Sequence, residues 1–208
     1  MGLREKQRTG RTTRILDAAT VLFLEKGFEH VKAEEIAEIA EVSVGTLYNY
    51  FGSKNEILLT LTALENELIE ALGADYQPDF KAPAADILCN LLNVYFDPKN
   101  SMLDKALWRM GYALSLTHVS SDAARRYLRS DAILSQQMVN LTLKLQHKSL
   151  LRMDLNSQIF GAALFNNANM LFFEFTRSEN KTYQDIRQEI SDMTRSLVSL
   201  AHLPAQTS

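Results

Sequence analysis

The stretch that decides the fold is AEEIAEIAEVSVGTLYNYF, residues 33–51. It reads as two short helices joined by a tight turn. Ile36, Ala37 and Ala40 share one face of the first helix, and Leu47 and Phe51, four apart, point inward from the second. Val42 anchors the turn, and Ser43 offers its side-chain oxygen as N-cap of the second helix. Val44, Thr46, Tyr48, Asn49 and Tyr50 occupy the remaining surface. A small helix that turns hydroxyls and an amide outward has the chemistry of a major-groove reader. The same pattern also fits an ordinary helical hairpin whose polar face is merely solvated.

Working outward, residues 13–26 form a preceding amphipathic helix, with Ile15, Ala18, Ala19, Leu22 and Phe23 in register and Gly27 as its stop. Phe28 packs back on the small three-helix core. Residues 1–12 carry Arg4, Lys6, Arg8 and Arg11 against Glu5 and show no apolar period. They read as a mobile basic arm, suited to DNA phosphates or to the minor groove, or else as a solvated tail. Downstream, Ser53 and Glu56 have capping-box spacing. Ile57, Leu58, Leu61, Leu64, Leu68 and Leu72 then hold an apolar stripe along a long fourth helix. Lys54 stands in the first turn of that helix, where a cation opposes the helix dipole and needs another reason. A nearby DNA phosphate supplies one.

The run RILDAATVLFLEKGF, then IA, then VSVGTLYNYFGSKNEIL resembles the N-terminal DNA-binding domain of the tetracycline-repressor-like (TetR) family of bacterial regulators. The resemblance covers roughly residues 11–60; beyond it only length and helical character agree. It implies a homodimer that sets two reading helices in successive major grooves of a near-palindromic operator. Ser43, Val44, Thr46 and Asn49 would then face the bases, with Asn49 suited to adenine. Tyr48, Tyr50, Lys54, Lys32 and Arg11 would hold the phosphate backbone. Two positions depart from the family pattern. Val31 and Lys32 replace the Thr or Ser that opens the second helix, so a cap of ~1 kcal/mol is missing. Glu41 stands where a turn Gly is common, at a cost of ~1 kcal/mol if the backbone there is left-handed.

Composition bounds the remainder. The 208 residues are 46% hydrophobic and 23% charged with a net charge of −3, so any nucleic-acid contact must come from a local patch. The one cysteine, Cys89, reads as a buried small hydrophobe and suits a reducing, cytoplasmic setting. His30, His118, His147 and His202 share no ligand spacing, so no metal or cofactor is expected, and no nucleophile–base motif points to an enzyme. No apolar run is long enough for a membrane span. Gly73, Pro78 and Pro83 mark a break. Helices are expected over 84–96, 101–116, 121–151, 156–177 and 183–203, with Asp154 and Thr182 as N-caps of the last two. The segment 159–175 is apolar on nearly all sides and must be covered on more than one face. The family resemblance assigns its second face to a dimer partner, for which Gly161, Phe165, Phe172, Met193 and Leu197 are the candidates. The same resemblance implies an effector cavity, with Trp108, Tyr112, Met138, Asn166, Asn169 and Met170 as candidate lining.

The expectation is therefore an all-α chain of about nine helices. Residues 1–55 are expected to form a three-helix helix-turn-helix domain, and residues 56–208 a helical domain for effector binding and dimerisation. The function expected is a homodimeric repressor that binds double-stranded DNA and is released by a small apolar effector. The alternative is a DNA-associated helical protein whose C-terminal domain binds a protein partner.

Overall fold

Ile15, Ala19, Phe23, Ile36 and Leu47 are almost completely buried, which makes the first three helices one small core. They belong to a computed structural model that describes residues 3–201. Among the described residues nine α-helices run in order: α1 (Leu3–Lys26), α2 (Ala33–Ile39), α3 (Val44–Phe51), α4 (Lys54–Ala74), α5 (Ala84–Phe96), α6 (Lys105–Thr117), α7 (Asp122–His147), α8 (Ser157–Arg177) and α9 (Tyr183–Ala201). Short 3-10 turns at Phe28–His30 and Pro98–Asn100 complete the described residues, which contain no strand. They fall into two compact units, drawn from Met1–Glu65 with Leu103–Leu128 and from Asn66–Met102 with Arg129–Ser208.

In the first unit α1 packs on α2 and α2 on α3. Phe28 meets Phe23 edge to face at 5.2 Å, as its apolar neighbours require. The basic arm is not a separate feature: α1 begins at Leu3, ten residues before the expected start. The good helix formers over residues 3–8 and the absence of proline let it extend without an apolar face, despite Thr9, Gly10 and Thr12. Thr12 and Thr13 return their hydroxyls to the carbonyls of Arg8 and Thr9. Later in the chain α6 joins this unit, and the α6–α7 corner is bonded to the start of α4. His118 Nε2 lies 3.4 Å from Asn55 Nδ2, and Ser121 Oγ donates to Glu56 Oε2 at 2.9 Å. That bond takes the carboxylate expected in the capping box, so only half of the box forms, with Ser53 Oγ accepting from the Glu56 N–H.

In the second unit α5, α8 and α9 pack mutually. Aromatic rings of Tyr95, Phe96, Phe165, Phe172, Phe175 and Tyr183 meet there in edge-to-face and tilted pairs. Cys89 is buried there, and burial pushes its thiol up, which fits a packing role. The expected stripe on α4 is only partly inward. Ile57, Leu58 and Leu61 are buried, but Leu64 and Leu68 are exposed, and Leu59, Thr62, Asn66 and Ile69 take the buried positions. The N-cap of α8 is Asn156, whose side chain accepts from the Ile159 N–H, because Asp154 is engaged by Arg152. Thr182 caps α9 reciprocally with Asp185. The expected end of α9 at Leu203, and His202, lie outside the described residues, as do Met1 and Gly2.

Candidate nucleic-acid interface

The interface is built from α2, the turn after it, and α3. Lys32 is the residue before α2 and has no acceptor to offer its first turn. The Glu35 carboxylate compensates in part, accepting the Lys32 N–H at 2.8 Å and the Lys26 ammonium at 2.5 Å. These bonds hold the Glu35 carboxyl below its usual range, led by the Lys26 contact. At the other end the Val42 N–H returns to the Ala37 carbonyl and the Glu41 N–H to that of Glu38. This is a Schellman closure, and it puts its C′ residue in the left-handed region. That residue is Glu41, at φ 53°, so the position does require the backbone that Gly adopts freely. Its exposed side chain reaches Arg14 of α1 at 3.2 Å.

Ser43 caps α3 by accepting the Thr46 N–H at 3.0 Å, and the two hydroxyls share a further bond at 2.8 Å. Leu47 is fully buried and fixes the helix by its inner face. Phe51, expected inward, is only half-buried because it stands in the final turn before Gly52. The outer face presents Ser43, Tyr48 and Asn49 as exposed side chains, with Val44, Thr46 and Tyr50 half-buried beside them. The face carries no formal charge. Arg8, Arg11 and Arg14 are exposed on α1, and Lys32 before α2, but Glu34, Glu38 and Glu41 are exposed as well.

Lys54 is placed differently from the expectation. Its ammonium donates to the carbonyls of Phe28 at 2.7 Å, Val31 at 2.9 Å and Glu29 at 3.4 Å. It also lies 4.4 Å from the Phe28 ring centroid. The cation that opposes the α4 dipole is thus accounted for by carbonyl oxygens within the chain, not by a phosphate. It acts as a clamp that orders the loop leading into α2.

The effector candidates are found in both units. Trp108, buried, and Tyr112, half-buried, stand on α6 in the first unit. Met138, fully buried, and Asn169, half-buried, belong to the second. Asn166 and Met170 are exposed on α8 and do not line an interior, a correction that follows from helical phase. Among the dimer candidates, Gly161 and Phe165 are corrected too. Gly161 faces α7 inside the chain, where a Cβ would stand 2.5 Å from Val139 Cα, and Phe165 is buried with its ring 6.2 Å from that of Tyr95. Phe172 is half-buried against Phe96, while Met193 and Leu197 keep partial exposure. On α8 and α9 the large apolar residues left uncovered are Ile159, Met170 and Leu200. Two features escaped the sequence reading: Arg14 as the partner of Glu41, and an Asn66–Asp131 pair whose partners are 65 residues apart. Only the Arg14 position carried a signal, as a basic residue at the outer edge of an amphipathic helix.

Comparison with known proteins agrees with this geometry. Residues 15–61 match the sequence model described as bacterial regulatory proteins, tetR family. Over 63 residues the chain is 46% identical to the HTH-type transcriptional repressor KstR of Rhodococcus jostii (strain RHA1), covering 30% of each chain. The match thus spans about a third of the length of that curated relative. Two solved structures share the whole fold. One is a bacterial regulatory protein in the tetR family from Rhodococcus RHA1, with TM-score 0.63, 16% identity, and coverage of 93% of this chain and 98% of that one. The other is Thermus thermophilus FadR, a TetR-family transcriptional repressor in complex with lauroyl-CoA, with TM-score 0.59, 21% identity, and coverage of 94% and 97%. These relatives are regulators of transcription rather than enzymes. No helix among the described residues is long and apolar enough to cross a membrane. With the turn, the cap and the uncharged outer face of α3 all in place, residues 15–61 form a helix-turn-helix head of the kind shared by the tetR family of bacterial regulatory proteins.

Proposed function

We propose that the chain is a homodimeric transcriptional repressor that reads near-palindromic double-stranded DNA through α3 and is released by a small apolar effector. The observation that carries this reading is the outward face of α3: Ser43, Tyr48 and Asn49 exposed on a helix that Leu47 and the Ser43 cap hold rigid. Ser43, Thr46 and Asn49 supply donors and acceptors for base edges, and Val44 offers a contact to a thymine methyl. Tyr48, Tyr50, Lys32 and Arg11 serve the phosphates, with Lys54 setting the loop from behind. Because this helix has no cation, each half-site makes few strong contacts, and affinity depends on two half-sites engaged together about one helical turn (~34 Å) apart.

Residues 1–55 would then be the reading domain, and 56–208 the domain for dimerisation and effector. The dimer face is best sought among the uncovered apolar residues Ile159, Met170 and Leu200, with Met193 and Leu197 beside them. The similarity in fold to a repressor solved with lauroyl-CoA supports an effector with an apolar body. Such an effector acts by population shift, binding better to the state whose heads are wrongly spaced for DNA.

The test pairs two variants. Tyr48→Ala should weaken binding to all sequences alike, while Asn49→Ala should relax preference at one base pair per half-site, by about 1–3 kcal/mol of discrimination. The reverse pattern would overturn the assigned roles.

A further inference from the structure

A cavity of about 250 Å³ opens within the second unit, where the end of α4, the loop after it, α5 and α7 meet. Its apolar lining comes from Leu91 of α5 and Leu141 of α7, both buried, with Pro78 of the loop beside them. Gly73 of α4 belongs to the lining as well. A Cβ there would stand 2.2 Å from Gln137 Oε1 and 2.5 Å from Tyr95 Cε1, so the absence of a side chain is what lets these two close against the helix. Gln137 is engaged by the chain itself, donating to the Glu70 carbonyl at 2.9 Å and accepting from Tyr95 Oη at 2.8 Å. The Tyr76 hydroxyl is engaged too, donating to the Ile87 carbonyl at 3.1 Å.

Two polar groups of the lining remain open, and both are donors. Asn140 Oδ1 accepts from Gln136 at 3.0 Å, which leaves its amide nitrogen without an acceptor among the described residues. Four residues on, along the same face of α7, the Lys144 ammonium has neither a hydrogen bond nor an ion pair among them. It is the one charged group of the lining, and no carboxylate joins it. The larger groove between α5 and α9 makes no such selection, because Asp86 and Asp97 stand there beside its cations.

We infer that this cavity binds a compact apolar molecule ending in a carboxylate, held by Lys144 and Asn140, and that such a molecule is the effector. The inference rests on the effector-binding reading above and narrows it to a place and a ligand class. The volume falls just short of the roughly 300 Å³ at which pockets for drug-sized ligands begin, so the apolar body is a short one. One carboxylate oxygen meets the ammonium in a charge-assisted bond, and the Asn140 amide donates to the other. An amine head would set a like charge beside Lys144 and bring donors to donors.

The experiment compares hexanoate, 1-hexanol and hexylamine on the full chain, at neutral pH and equal ionic strength, by thermal unfolding. The result expected is the largest rise in melting temperature with hexanoate, less with hexanol and least with hexylamine. Lys144 is exposed and unpaired, so Lys144→Met should leave the melting temperature of the unligated protein unchanged. In that variant the apparent affinity for hexanoate should fall by about fivefold, the scale of a largely exposed ion pair, while that for hexanol stays the same. Hexylamine equalling hexanoate, a hexanoate shift undiminished in Lys144→Met, or no shift with hexanoate would overturn the inference. Release of DNA recovered by random-sequence selection is scored in parallel. Hexanol or hexylamine that releases DNA as well as hexanoate does would overturn the carboxylate selection and keep the effector-binding reading. Hexanoate that binds through Lys144 yet releases no DNA would overturn that reading and keep the site.

Discussion

Replacing Glu41 by glycine isolates the energetic consequence of the turn between α2 and α3. Glu41 is held at φ 53° by the paired bonds Val42 N–H to Ala37 and Glu41 N–H to Glu38. For a residue with a Cβ this backbone costs roughly 1–2 kcal/mol, and glycine escapes the penalty. Two effects act against the gain. Glycine has more freedom to lose on folding, and the Arg14–Glu41 pair at 3.2 Å disappears. That pair is largely exposed, so it contributes only about 0–1 kcal/mol. The net expectation is a gain of at most ~1 kcal/mol, which for a domain of this size is a rise of up to about 2–4 °C in melting temperature. Glu41→Ala separates the terms, because it removes the ion pair but keeps the left-handed strain; it should be neutral or slightly destabilising. Urea unfolding of the three proteins followed by circular dichroism reads the difference. Glu41→Gly no more stable than Glu41→Ala would refute the argument that this turn stores strain.

Three further outcomes follow from other sites. Lys54→Met should destabilise the first unit by about 2–3 kcal/mol, since three loop carbonyls lose a charged donor, and hydrogen exchange should rise first at residues 28–32. Gly161→Ala should lower stability by about 1–3 kcal/mol by overpacking against Val139, seen as a lower denaturation midpoint; unchanged monomer stability with weaker dimerisation would return Gly161 to the dimer face. For Asp131 the folded carboxyl titrates near 7 against an ordinary value of 3.8, so the unfolded chain ionises first as pH rises. Its contribution is neutral below about pH 4, grows more unfavourable through pH 4–7, and is constant above; Asp131→Asn should therefore be more stable at pH 8, by at most ~4 kcal/mol, and lack that slope in pH-dependent melting.

Much of the reading head was legible because local rules decide it. The apolar period of α1, the Ser43 cap and the inward Leu47 all follow from spacing within a few residues. Glu41 at positive φ is visible once the turn is recognised, because the Schellman closure forces that backbone. Spacing cannot say which apolar face meets which neighbour. On α4 the periodic choice of Leu64 and Leu68 lost to Leu59 and Ile69, since tertiary packing selects among faces that are all hydrophobic. On α8 the same ambiguity placed Gly161 and Phe165 at a dimer surface when they pack inside the chain. Small residues permit close approach of any helix, and the sequence does not name the partner. Lys54 shows a third kind of failure: the unfavourable helix dipole was read correctly, but the compensating oxygens lie 23 to 26 residues back in the chain. Asp131 and Asn66 are likewise joined only by the fold.

The central claim is that α3 reads DNA sequence, and a random-sequence DNA selection with the purified full-length protein tests it most directly. Sequencing the bound pool at two salt concentrations should show a near-palindrome with half-sites about one helical turn apart, and total binding that falls steeply with salt. A folded, dimeric protein that enriches no sequence at either salt concentration would contradict it.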